Sequence, residues 1–386
     1  MSEPTNFRWG IIATGMISKS FVGDLLIDPA TRDVHRFKHV VQAVASRSKD
    51  SAQEFIAQHV TPKQASPPTA YGSYQELFDD KQIDAVYIGT PHNLHYGNVN
   101  AALSSGKHVL VEKPFTVTAQ QAQALVDLAR SKKLFLMEAV WTRFQPFSYK
   151  LQQLIADGEI GKVKSAHAEL ASNFETTARK NPEHRLVNPD LAGGALLDLG
   201  PYPWTQLMLS LFPASEASPE PLALPKITSS MTKTSSGVDA TTTAVLEFTN
   251  QTDGTALTGT MTASQTYQSA PARVLVVNGT KGYIEVNWPT FRPSSLKVVA
   301  WKSQQDYDSF FKPEPVKTET FDYTKRPGGI FGMAWEADEV AQCVLDGKTE
   351  SDRMPLRETI LMAQVFDEIR RQSQLRYPEH VESLDL

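Results

Sequence analysis

Cysteine is almost absent from this 386-residue chain, where Cys343 is the one thiol. A lone cysteine rules out an internal disulfide and fits a reducing compartment. Its place in Ala337–Leu345, a run with helical character, reads as a buried structural thiol rather than a nucleophile. Positive charge is not in excess either: 38 Lys and Arg stand against 43 Asp and Glu, a formal net charge of −5. That balance argues against nucleic acid or an anionic membrane as the main partner. No apolar stretch reaches the length of a membrane-spanning helix, and Met1 to Arg8 lack the apolar core of a signal peptide, so a cytoplasmic location is expected. Internal repeats and low-complexity tracts are also missing. His92 and His95 have no carboxylate or cysteine close by to complete a ligand set, so no metal is expected.

What is present is ordinary globular composition, 41% hydrophobic and 21% charged, in a chain long enough for two cores. From Phe7 to Val140 short apolar runs alternate with amphipathic ones. The strands read as Trp9–Ala13, His39–Ala45, Asp84–Thr90, Val109–Val111 and Leu134–Met137. That alternation predicts a Rossmann-type, doubly wound parallel sheet over residues 1–145. After Pro146 the pattern changes. Thr241–Phe248, Gly254–Thr262, Arg273–Asn278, Gly282–Val286 and Leu296–Trp301 follow a period of two with few helices between them. Residues 146–386 are therefore expected to form an α+β domain with a mainly antiparallel open sheet. Ser215–Pro225 reads as a proline-rich loop. Ala334–Leu345 and Pro355–Arg371 read as closing helices, able to pack back on the first domain.

Several residues fall where such a fold does chemistry, at the carboxyl ends of parallel strands. The first turn, Ala13-Thr14-Gly15-Met16-Ile17-Ser18, is a degenerate glycine fingerprint that keeps Gly15, the position that lets a pyrophosphate approach a helix N-terminus. A tight turn with no ligand has the same pattern. The second strand ends in Ser46-Arg47 with no carboxylate, and a guanidinium suits a 2′-phosphate where an acid would bind a free ribose hydroxyl. Thr90, Pro91, His92, Asn93 and His95 follow the next strand, with Asn93 placed to cap the helix running to Ser105. Glu112 and Lys113 end the strand after that, and Pro114 stops its ladder. Trp141, Arg143 and Phe144 follow a further strand end and suit a pocket lining, although Trp141 fits a core equally well. Asp198 and Tyr202 lie four apart, on one face if the backbone is helical there, and by spacing alone a capping aspartate beside a core tyrosine explains them too.

Taken together, Trp9–Gly15, Thr90–His95, Glu112-Lys-Pro114, Gly194–Gly200 with Tyr202, Glu336–Val340 and Met354-Pro-Leu356 resemble the glucose–fructose oxidoreductase, inositol dehydrogenase and rhizopine-catabolism family of NAD(P)-dependent oxidoreductases. Met137–Pro146 is similar to the branch holding dimeric dihydrodiol dehydrogenases and fungal NADP-dependent D-xylose 1-dehydrogenases. Within that family the chain departs at the first and third fingerprint glycines, and it carries Tyr202 where many members have histidine.

The resemblance implies NADP as cofactor and a sugar as substrate, D-xylose oxidised at C1 to the 1,5-lactone. Cofactor contacts are implied for Ala13, Thr14, Gly15, Met16, Ile17, Ser46, Arg47, Thr90, Pro91, His92, Asn93, His95, Glu112 and Lys113. Catalysis is implied for Lys113, Tyr202 and Asp198, with Trp141, Arg143 and Phe144 joining them around substrate. An unperturbed tyrosine titrates near ~10, so Tyr202 needs a cation such as Lys113 to serve as proton acceptor. The alternatives are a trans-dihydrodiol or dicarbonyl substrate, and a nucleotide-sensing regulator on the same fold, which would have no use for Lys113 and Tyr202. The second-domain sheet is expected to keep an apolar open face that pairs in a homodimer.

Overall fold

The computed structural model describes residues 3–174, 181, 183–212, 223–249, 254–301, 315–324, 329 and 331–385. Part of the loop Ser215–Pro225 lies outside the described residues. By compactness the chain divides into two units. The first comprises Met1–Phe144, Arg326–Ala363 and Glu379–Leu386, and the second Gln145–Lys325 and Gln364–Pro378.

In the first unit the strands are β1 (Thr5–Ile12), β2 (Phe37–Ala45), β3 (Thr69–Tyr71), β4 (Ala85–Ile88), β5 (His108–Glu112) and β6 (Leu136–Ala139). Between them run α1 (Met16–Leu25), α2 (Lys49–Phe55), α3 (Tyr74–Asp79), α4 (His95–Ser104) and α5 (Ala119–Lys132). The six strands are parallel in the order β3-β2-β1-β4-β5-β6, the doubly wound sheet expected. The order reverses between β1 and β4, and a crevice at such a reversal is where ligands bind. Central strands buried on both faces need apolar side chains at nearly every position: Ile11, Ile12, Val86, Tyr87, Ile88, Val109, Leu110 and Val111 are all fully buried. β3 escaped the sequence because three residues beside a proline-rich loop show no periodicity; pairing with β2 makes it a strand.

The late helix α9 (Met333–Leu345) belongs to this unit and is fixed by polar groups. Trp9 donates its indole N–H to Nδ1 of His39 at 3.1 Å, and Nε2 of His39 lies 2.9 Å from Oδ1 of Asp338. Arg32 grips the same carboxylate from Nε and Nη2 at 2.8 and 2.9 Å. Burial pushes the His39 pKa down, so the ring is neutral and the Nε2–H donates to Asp338. At the helix start, Oδ2 of Asp24 accepts the N–H groups of Phe331, Gly332 and Met333, which satisfies donors a helix leaves open.

The second unit opens with α6 (Pro146–Ala156) and β7 (Val163–Ala171). Next come α7 (Ala195–Leu199), α8 (Pro201–Leu211), β8 (Lys226–Lys233), β9 (Asp239–Thr249) and β10 (Ala256–Ser264). β11 (Leu275–Gly279), β12 (Gly282–Val286), β13 (Ser295–Trp301) and β14 (Pro315–Asp322) complete the sheet. Its eight strands lie in the order β14-β13-β12-β11-β7-β10-β9-β8. The β7–β10 pair is parallel and the others antiparallel. Helix α8 packs on β7 and β10, α7 on β9 and β10, and α6 on α8.

Strand alternation then sorts the residues. Leu246, Phe248, Leu257, Met261, Ala166, Ala168 and Leu170 are buried, while their neighbours Thr243, Val245, Glu247, Thr258, Thr260, Thr262, His167 and Glu169 are half-buried or exposed. Over β7, β9 and β10 the open face is thus threonine-rich, with Thr243 and Thr262 hydrogen bonded across strands at 3.1 Å. The expectation of an apolar face is corrected over these three strands, where the apolar half of each alternation is spent on the helices, whereas Val276, Tyr283 and Val299 carry apolar side chains on the same face of β11, β12 and β13.

Candidate active site

In the first unit β1 hands over to the turn at Ala13, which adopts φ 69°. This left-handed conformation costs an L-residue about 1–2 kcal/mol that glycine would avoid. Its N–H donates to the Ala45 carbonyl at 3.1 Å, and Thr14 Oγ1 lies 3.2 Å from Ser46 Oγ, so the β1 and β2 ends are joined. Gly15 is the N-cap of α1, no side chain caps that turn, and a Cβ at Gly15 would meet nothing within 4 Å. Met16 and Ile17 follow as the first residues of α1. Glycine is not needed there for packing; open backbone at an uncapped helix start fits a pyrophosphate.

The third fingerprint position, Ser18, is fully buried. A Cβ on Gly89, just past β4, would lie 2.4 Å from its Oγ. The close helix-to-sheet approach usually provided by glycine on the helix is provided here by glycine on the sheet.

Arg47 is exposed at the β2 end, and its charge acts on the Tyr74 hydroxyl, whose pKa burial raises. Ser48 caps α2 by accepting the Ser51 N–H at 3.2 Å. After β4, Pro91 is exposed, while Thr90 and His92 are buried. Asn98 donates to Thr90 Oγ1 at 3.1 Å. Asn93 lies inside a single 3-10 turn, and the N-cap of α4 is Leu94 with no side-chain cap. The capping role expected of Asn93 is therefore corrected: the extra turn moves the helix start past it. His95 is 1% exposed, with its two nitrogens each 2.9 Å from a carbonyl, of Pro114 and of Thr90. Burial pushes its pKa down to about 4, so the neutral ring donates to one of the two at a time and ties the Lys113 loop to the end of β4.

Lys113, half-buried, follows the last residue of β5. Beneath it Glu112 accepts the Tyr87 hydroxyl at 2.6 Å. Burial raises the Glu112 pKa to about 7, opposed by Tyr87 and by the Lys113 charge. Glu138 accepts the Phe115 N–H and the Thr359 hydroxyl at 2.9 and 3.0 Å, and burial brings it to about 7 as well. Glu336 is fully buried, with neither carboxylate oxygen hydrogen bonded. Burial first, then the charges of Glu112 and Asp24, lifts its pKa far above the usual range. Trp141 and Phe144 are buried, with Trp141 5.8 Å from the Phe331 ring. Arg143 is buried as well: it donates to the Arg353 carbonyl at 3.0 Å and pairs with Glu358. Burial lowers its pKa to about 9.

The second unit builds its site on α7 and α8. Gly200 joins them in helical conformation, φ −57° and ψ −30°. Pro201 falls at the first position of a new helix, where proline needs no N–H partner. Asp198 and Tyr202 therefore do share a face, one turn apart. Gly194 sits at φ 128°, and a Cβ on it would lie 2.0 Å from Oδ1 of Asp239. Oδ2 of Asp239 accepts the Leu196 N–H and the Thr242 hydroxyl at 2.7 and 2.8 Å, anchoring the start of α7. Asp198 accepts from Arg185 Nη1 at 2.7 Å, and the Tyr202 ring lies 5.6 Å from Phe291. Among the described residues no cluster of histidine, cysteine, aspartate and glutamate is able to hold a metal, and no helix is long and apolar enough to cross a membrane.

No role was read from the sequence for Arg185, Glu138 or Glu336, although the two glutamates fall within the family-like runs. Arg185 lies in a loop with no periodic signal, and the two glutamates read as ordinary helix and strand residues until burial is known.

A dinucleotide turn at the sheet reversal, a lysine closing β5 and an aspartate–tyrosine face in a second, open-sheet unit define a class: a two-unit nicotinamide-dependent oxidoreductase. Residues 7–140 match the oxidoreductase family with an NAD-binding Rossmann fold, and residues 149–285 match the GFO/IDH/MocA C-terminal domain. The chain belongs to this glucose–fructose oxidoreductase, inositol dehydrogenase and rhizopine-catabolism family. It is 40% identical over 382 residues to a D-xylose 1-dehydrogenase (NADP(+)) of Hypocrea jecorina, covering 98% of this chain and 94% of that one. It is 36% identical over 372 residues to the human trans-1,2-dihydrobenzene-1,2-diol dehydrogenase, covering 96% and 98%. In fold it is similar to a 3-ketoreductase from Actinomadura kijaniata solved with NADP, with a TM-score of 0.68 at 23% identity over 95% of this chain and 97% of that one.

Proposed function

We propose that the protein oxidises D-xylose at C1 to D-xylono-1,5-lactone with NADP as acceptor. The observation that carries this reading is the full-length similarity to a D-xylose 1-dehydrogenase, stronger than that to the dihydrodiol dehydrogenase. NADP, when bound, supplies the two-electron acceptor for the C1 hydrogen. Gly15 and the start of α1 receive its pyrophosphate and Arg47 its 2′-phosphate, in keeping with the open turn and the absence of a carboxylate at Ser46-Arg47. Thr90, Pro91, His92 and Asn93 line its path past β4, and His95 and Glu112 hold the Lys113 loop from beneath.

Tyr202 accepts the proton of the C1 hydroxyl, Lys113 favours the ionised tyrosine and donates to substrate oxygen, and Asp198 orients the sugar. Trp141, Arg143 and Phe144 are the residues expected to line the substrate pocket, with Arg143 also donating to the Arg353 carbonyl and paired with Glu358. Several substrate hydroxyls need several polar partners, since each buried hydroxyl left unpaired costs about 1–3 kcal/mol. A sugar uses these groups more fully than a dihydrodiol with two hydroxyls. The protein acts in the cytoplasm as a homodimer that pairs through the open face of the second-unit sheet.

The test is a panel of aldoses and trans-dihydrodiols assayed with NADP and NAD. Activity on D-xylose, weaker activity on D-glucose and a lactone detectable before hydrolysis are expected. A markedly higher kcat/KM for a dihydrodiol would transfer the assignment to that substrate.

A further inference from the structure

The second unit places a guanidinium beside the Asp198–Tyr202 face. Arg185 Nη1 donates to Asp198 Oδ1 at 2.7 Å; the Asp198 side chain is 9% exposed and that of Arg185 48%. The charged form of Arg185 is favoured by Asp198 first and also by Tyr202, so the guanidinium lies close to both. The guanidinium compensates the nearly buried Asp198 carboxylate, and its own half-exposed side chain leaves donors available for a second partner. Guanidinium carries five N–H donors in a rigid fork. The contact with Asp198 engages one, and half of the side chain remains open to solvent. Asp198 and Tyr202 stand one helical turn apart, about 5–6 Å between their Cβ atoms. With Tyr202 taking the proton of the reacting hydroxyl, a donor held on Asp198 reaches one hydroxyl further along the substrate.

We propose that Arg185 is a specificity-determining residue: one of its N–H groups binds the hydroxyl next to the one oxidised, so that Asp198 and Arg185 together select a vicinal diol. The inference rests on Tyr202 as proton acceptor and holds for an aldose or a dihydrodiol alike. A site built to hydrogen bond a hydroxyl rejects the analogue lacking it.

In steady-state assays with NADP, D-xylose is expected to exceed its 2-deoxy analogue in kcat/KM by about tenfold to a hundredfold. Arg185→Met removes the donors and keeps the length. It should bring that ratio within about threefold of unity, mainly through D-xylose, and Arg185→Lys, which keeps a positive charge beside Asp198, should restore part of it. A ratio kept by Arg185→Met, or an equal loss on both sugars, would overturn the proposal. An independent arm needs no turnover: phenylglyoxal labelling of Arg185, followed by peptide mass spectrometry, in the intact protein with NADP. Labelling slowed by D-xylose or trans-1,2-cyclohexanediol but not by cyclohexanol supports the diol contact, and equal rates refute it. Protection without any xylose oxidation would sink the substrate assignment and leave Arg185 in its role.

Discussion

Replacing Gly89 by alanine tests whether the missing third fingerprint glycine has been exchanged for one on the sheet. The new Cβ would lie 2.4 Å from Ser18 Oγ, 3.0 Å from Tyr87 Cε1 and 3.3 Å from Ile17 Cγ2. Tyr87 is stacked on Phe21 with centroids 3.7 Å apart and hydrogen bonded to Glu112, so it yields little. The strain therefore falls on the first turn of α1. Overpacking of this kind costs about 1–3 kcal/mol, a fall of roughly 2–10 °C in the Tm of a unit this size. Ser18→Gly alone costs about 1 kcal/mol for a helical glycine. That cost is partly offset because Ser18 Oγ is buried without a partner. Combined, the two substitutions relieve each other, and a coupling of about 1–2 kcal/mol is expected. Thermal and urea unfolding of the four proteins measure it, and NADPH fluorescence titrations should show affinity lost in Gly89→Ala and regained in the double variant. Additivity within about 0.5 kcal/mol would refute the exchange.

Lys113→Met and Tyr202→Phe should each lower kcat by about 10²–10⁴-fold while NADPH still binds; near-normal turnover in either removes that residue from the mechanism. Arg47→Ala should erase much of a preference for NADP worth about 1.5–3 kcal/mol, roughly ten- to hundredfold in binding, and equal efficiency with NAD and NADP in the unmodified protein would rule the contact out. Glu138 has its pKa raised from 4.5 to about 7 by burial, so it contributes stability below about pH 4.5 that is lost as pH rises through 7. Glu138→Gln should flatten the urea stability profile across that window by up to about 3 kcal/mol, and parallel profiles would contradict the assignment. Sedimentation at micromolar concentration should show a dimer, and a 43 kDa monomer would exclude one.

Much of the architecture could be read from order and period alone. The runs around Ile11, Val44, Tyr87 and Leu110 are continuous because parallel strands are buried on both faces, and the alternation in Thr241–Phe248 exists because one face of an antiparallel sheet is not covered. Gly15, Arg47, Lys113, Asp198 and Tyr202 were visible as residue types at strand ends or at helical spacing. Packing decided the rest. Whether Asp198 and Tyr202 share a face depended on Gly200 staying helical before Pro201, which a sequence with two prolines leaves open. That the open sheet face is threonine-rich over β7, β9 and β10 followed from which half of each alternation the helices α7 and α8 cover. His95, Glu112, Glu138 and Glu336 gained their protonation states from burial, and Arg185 its place from a loop fold. Periodicity is a local property that survives in one dimension. Desolvation and the meeting of distant side chains are properties of the folded volume, and tertiary structure alone sets them.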